Sequence, residues 1–186
     1  MTSNSRDLDT ATGRWLWIVL LTIANVVLSG KFACATPFAA LAALASLDMS
    51  KREGLVLVGA MWLSNQIVGF AILSYPHEMQ TYAWGLTMGL AALVALYVVF
   101  AIKPRLASLG TMAMLTGSFA AAFAAYEAVL LAATFVLPNG ESAFTLPVVR
   151  YVTVTNVVAF VGLLILHRAA VMVGLLRERG AMLSAR

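Results

Sequence analysis

Residues 81–102 run for twenty-two positions without a charged side chain. A helix of that length spans about 33 Å, enough to cross the hydrocarbon core of a bilayer. Further apolar runs cover 15–30, 36–47, 54–74, 107–137 and 146–174. The whole chain is 62% hydrophobic and 11% charged, with a mean hydropathy of +0.92. A soluble domain of 186 residues cannot hide that much apolar surface, so the bilayer is its solvent. The expected fold is an all-α membrane protein with six transmembrane helices. Residues 1–13 form a disordered polar tail, 14–176 the six-helix domain, and 177–186 a basic tail.

The second run departs from the rest. Gly30-Lys31-Phe32-Ala33-Cys34-Ala35-Thr36-Pro37 places a lysine, the only cysteine and a proline where a first membrane helix meets its neighbour. The segment 36–47 opens at Pro37, suited to a helix start, and closes at Asp48. About 12 residues make roughly 18 Å of helix, too short for a core of about 30 Å. If Asp48 reaches one interface, the Lys31–Thr36 turn lies below the other. Backbone at that depth must be buried in protein or face a water-filled cavity. Run 107–137 is long enough to stand above the membrane, which suggests a bowl. Ala33-Cys34-Ala35 also has the form of a signal-cleavage site, but Lys31 beside it and the spans that follow argue against processing.

The basic residues set an orientation. With the N-terminus cytoplasmic, that side collects Arg6, Arg14, Lys51, Arg52, Lys103, Arg105, Arg177, Arg179 and Arg186, against Lys31 and Arg150 outside. This positive-inside bias makes both termini cytoplasmic. The loops near Cys34, at Tyr75-Pro76-His77-Glu78 and at 138–145 then share the outer face. Ser50 and Glu53 have capping-box spacing before the third run.

Several polar residues are candidates for a site. Cys34 can serve as a thiolate for a soft or borderline metal, with Lys31 favouring ionisation, or as a small buried hydrophobe. His77 suits a ligand or weak metal contact, or plain solvation. Glu127 is the one carboxylate inside a predicted span, facing either a cavity or Arg150 as counter-charge. Asn25, Asn65, Gln66 and Asn156 suit interhelical hydrogen bonds, and of the adjacent pair Asn65 and Gln66 at most one faces a central cavity. His167 suits an interfacial anchor. Tyr75, Tyr82, Trp84, Phe144 and Tyr151 form an interfacial belt or flat walls for a planar ligand. Ala39/Ala43 and Gly117/Ala121/Ala125 allow close helix contact, internal or with a partner.

The chain has no Gly-rich phosphate loop, HExxH or GxSxG, which argues against an ATPase or hydrolase. One cysteine makes no internal disulfide, and two histidines make no multi-histidine metal site.

Ala35-Thr36-Pro37-Phe38-Ala39-Ala40-Leu41-Ala42-Ala43 after the cysteine, and Trp62-Leu63-Ser64-Asn65-Gln66-Ile67-Val68-Gly69-Phe70 before Tyr75-Pro76, resemble the substrate-binding S-components of energy-coupling-factor vitamin transporters. Within that superfamily the chain is most similar to the solitary cobalamin transporters. The resemblance implies six helices, cytoplasmic termini in a bacterial inner membrane, and uptake of cobalamin or a related corrinoid from outside. It implies Cys34 as axial cobalt ligand, able to displace a weakly held ligand on the metal in service of binding rather than as an enzyme. Lys31, Asn65, Tyr75, His77, Tyr82, Trp84, Glu127, Arg150 and Tyr151 are the remaining candidates for the vitamin pocket. The first helix lacks the AxxxA contact by which many S-components dock on an energising subunit, so the protein acts alone or docks through another face such as Ala39/Ala43. The expected partners are the bilayer, the vitamin and, unless the protein acts alone, such a module, with no nucleic acid and no intrinsic cofactor. Alternatives are an S-component for another vitamin or a metal ion, and an accessory membrane subunit that binds no small molecule.

Overall fold

The computed structural model describes residues 3–32, 36–138 and 140–175, with the side chains of 3–11, 27–32, 48 and 141 outside the description. Six α-helices follow one another among the described residues: α1 (Ser3–Phe32), α2 (Phe38–Asp48), α3 (Lys51–Ile67), α4 (Met79–Leu106), α5 (Thr111–Thr134) and α6 (Leu146–Met172). Four membrane-capable segments are long and apolar enough to cross a bilayer: Lys51–Ile72, Met79–Leu109, Thr111–Thr134 and Leu146–Met172. The apolar stretches Thr12–Val26 and Phe38–Leu47 are shorter.

The fold is organised around α2. From Phe38 to Ala45 no residue is more than 2% exposed. A helix that is apolar on every side is surrounded by protein or by lipid, and protein surrounds this one. Here α3, α4, α5 and α6 all pack against it, while α1 lies beside α3. The outer helices form a ring, with α3 on α4 and α4 on α5. Phe119 of α5 stacks on Phe160 of α6 at 4.4 Å, and Trp17 of α1 meets His167 of α6 edge-on at 6.0 Å. Ala39, Ala40, Ala42, Ala43 and Ala45 let these neighbours approach, because small side chains bring helix backbones close. Ala39 and Ala43 are therefore used for internal packing.

The ends of α2 are secured differently. At its C-terminal end Lys103 of α4 donates from Nζ to the carbonyl of Ser46, placing a cation on carbonyls that the helix leaves unpaired. Lys103→Met is expected to lower stability by about 1–2 kcal/mol, read as a drop in thermal midpoint in detergent. After Met49, Ser50 caps α3 with Glu53 in a capping box, as the spacing predicts. Glu53 also pairs with Arg14 of α1 at 2.6 Å, tying α1 to α3 at that end.

Three boundaries differ from expectation. Helical backbone begins at Ser3, within the stretch read as a disordered tail. Helix α4 continues through Lys103-Pro104-Arg105, where one missing N–H close to the helix end is tolerated. Helix α5 starts at Thr111, because a 3₁₀ turn over Ala107–Leu109 and Gly110 at φ 85° break the run. It is thus 24 residues long, and not the tall helix that the apolar run suggested.

Candidate functional site

The start of α2 is recessed. Thr36 donates from Oγ1 to Oδ1 of Asn65 on α3 at 2.8 Å, both residues being buried. Asn65 lies seven residues short of Ile72, where the helical backbone of that segment ends, so Thr36 sits roughly 10 Å below that end. Independently, Phe38 stacks on Tyr126 of α5 at 5.8 Å. Tyr126 is eight residues short of Thr134, or roughly 12 Å below the end of α5. Asn65 is the inward member of the Asn65–Gln66 pair. Gln66 turns toward α4, where its amide occupies the space that a side chain on Gly85 would need.

A polar cluster continues from this recess into α1. Asn25 donates from Nδ2 to Ser64 Oγ at 3.2 Å and to the Met61 carbonyl at 3.4 Å. This is the interhelical role its sequence position suggests. Its Oδ1 is buried without a protein partner. Cys34 lies outside the described residues, and of Lys31 only the backbone, within α1, is described.

Tyr75, His77 and Tyr82 come together at the rim, around a residue the sequence did not single out. The π-helical turn Val68–Ile72 ends α3, closed by a bond from Leu73 N–H to the Val68 carbonyl. Ser74, at φ 53°, reverses the chain so that the ring of Tyr75 lies on Gly69, where any Cβ would stand 2.8 Å from it. Phe70 then stacks on Tyr82 at 5.0 Å and lies 5.4 Å from His77 and 6.3 Å from Tyr75. His77 Nδ1 and the Tyr82 hydroxyl are hydrogen-bonded at 2.8 Å. The result is an exposed aromatic corner, with His77 held by Tyr82. Among the described residues no three His, Cys, Asp or Glu side chains gather as a metal set.

The remaining candidates stand apart from that corner. Trp84 and Gln80 both donate to the Pro138 carbonyl, at 3.2 and 2.9 Å, and pin the α5–α6 connection to α4. Gly140 is required there, since a Cβ would run into the Trp84 ring. Arg150 and Tyr151 are exposed on α6. Glu127 on α5 is half-buried, its Oε1 enclosed without a hydrogen-bond partner. It makes no ion pair with Arg150, the counter-charge offered as one of its two alternatives. Asn156 is buried and donates to the Val152 carbonyl of its own helix.

An apolar groove of about 280 Å³ lies on the outside of the ring between α3 and α4, lined by Val58, Gly59, Trp62, Leu86, Leu90 and Leu93, with Gly89 at its floor. Trp62 donates from Nε1 to the Gly85 carbonyl at 2.7 Å, and its indole covers Gly89. Gly85 and Gly89 have the small-x-x-x-small spacing of close helix packing, a signal already present in the sequence.

No family model, curated protein or solved structure matches the chain.

Proposed function

We propose that the chain captures a corrinoid, cobalamin or a close relative, from outside a bacterial inner membrane and carries it inward. Both termini are then cytoplasmic, as the distribution of basic residues indicates. The observation that carries the reading is the depth of the α2 start, roughly 10–12 Å below the ends of its neighbours. A large, flat, metal-centred ligand requires a recess, aromatic surfaces and an axial donor. Phe70, Tyr75 and Tyr82 offer the aromatic surfaces at the rim. Cys34, two residues before Thr36, supplies the thiolate for cobalt. The sequence resemblance to solitary cobalamin transporters supports the same assignment. The role is one of binding and transfer without catalytic turnover, and any ATP-driven step belongs to another protein.

The purified protein, taken from cells grown with cobalamin, is expected to be coloured, with a visible spectrum shifted from that of free cobalamin. Cys34→Ala is expected to remove that shift while leaving the thermal midpoint of the empty protein unchanged. A colourless protein that also gives no calorimetric binding heat would sink the proposal.

A further inference from the structure

Helices α5 and α6 both pack on α2 and scarcely touch one another, and the Phe119–Phe160 stack bridges them. That stack is the reference level for the residues beyond it. Phe123 lies one turn beyond Phe119 and contacts it at 6.2 Å, and Glu127 lies one turn further on the same face. Going the opposite way along α6, Asn156 lies one turn before Phe160 on the face that carries it. The antiparallel pairing therefore sets Phe123 level with Asn156, and Glu127 level with Val152. Glu127 thus stands one turn beyond Phe123 and two beyond the aromatic stack.

This carboxylate has no counter-ion among the described residues. One of its oxygens is enclosed and unpartnered, and α5 carries no Lys or Arg. Arg150 is exposed and makes no ion pair with it. A carboxylate inside a membrane span is costly unless it meets a cation or water, and it marks a ligand site by default. One carboxylate and one amide are too few oxygens for a hard metal ion, which takes six or more. Aromatic faces beneath a carboxylate instead favour a weakly hydrated organic cation.

We infer that the α5–α6 seam binds an organic ammonium group, with Glu127 as its counter-ion and Phe123, one turn below, as its floor. The ammonium belongs to a free amine or to a lipid headgroup. The site rests on neither Cys34 nor the corrinoid, so a colourless protein would leave it standing.

The test uses the full chain in detergent, with n-butylammonium as probe, against n-butanol and sodium at equal ionic strength. The probe is expected to raise the thermal midpoint saturably by about 3 °C, and the alcohol and sodium are expected to leave it unchanged. Glu127→Gln should weaken the apparent affinity at least about tenfold. Glu127→Asp, which keeps the charge but shortens the reach, should weaken it less, and Phe123→Leu about threefold. In vesicles, stabilisation by phosphatidylethanolamine over phosphatidylglycerol that is lost in Glu127→Gln would identify a lipid headgroup as the source. The inference is overturned by the absence of a saturable shift, by an equal shift with sodium, or by an equal shift in the folded Glu127→Gln protein.

Discussion

Ala43→Leu is expected to destabilise the protein by about 3 kcal/mol, at the upper end of what overpacking a well-filled core costs. Ala43 is fully buried on a helix that is enclosed on all sides, so the added atoms have no free direction in which to move. On a peripheral helix the neighbour can tilt away, but α2 is held by four others and by Lys103 at its end. The measurement is the thermal midpoint in detergent, with Ala101→Leu as companion. Ala101 is exposed on α4, where lipid tails are as apolar as leucine, and its change should be within about 0.5 kcal/mol of neutral. Equal midpoints for the two variants would mean that α2 is not the centre of the fold.

The recess of α2 was legible, and its enclosure, one of two readings of Ala39/Ala43, is compatible with the same stretch. Residues 36–47 have no polar face, and a segment too short to span leaves a helix end at a depth where lipid cannot hydrogen-bond it, which favours enclosure in protein. Its recess follows from the same shortness, and the Thr36–Asn65 bond agrees with the depth that the length implies. The capping box was legible because it is a local rule of three residues. The extent of α5 was not. Apolar character continues through Ala107–Leu109, and only the positive φ at Gly110 interrupts the helix, which hydrophobicity does not register.

The site was legible in its parts and not in its grouping. In the sequence Tyr75, His77 and Tyr82 qualify separately, each as a residue near one membrane face. What assembles them is Phe70, carried round by the π-helical turn and the reversal at Ser74, and neither leaves a periodic mark in the sequence. Trp84 looked equally suitable as a wall for a ligand, but its indole N–H goes to the Pro138 carbonyl and serves the loop. Glu127 stood out as a carboxylate in a span. Whether Arg150 reaches it depends on how α6 is rotated, and apolar residues on nearly every face of α6 leave that rotation unmarked in the sequence.

Gly89→Val carries the second large effect, a loss of about 2–3 kcal/mol. The Cβ of any residue at 89 would stand 2.8 Å from the Trp62 Nε1 atom and 3.0 Å from the adjoining ring carbon. The indole cannot withdraw without giving up its hydrogen bond to the Gly85 carbonyl, so packing and bond are lost together. Gly59 lines the same groove but has no atom within 4 Å of its Cβ position. Gly59→Val should therefore be close to neutral, which separates the effect of the indole from that of a β-branched residue in a helix. If the indole is the cause, the cost of Gly89→Val should shrink to below about 1 kcal/mol in a Trp62→Ala background, because residues in contact are not additive. A full cost in that background would place the strain in the α4 backbone and leave Trp62 a bystander.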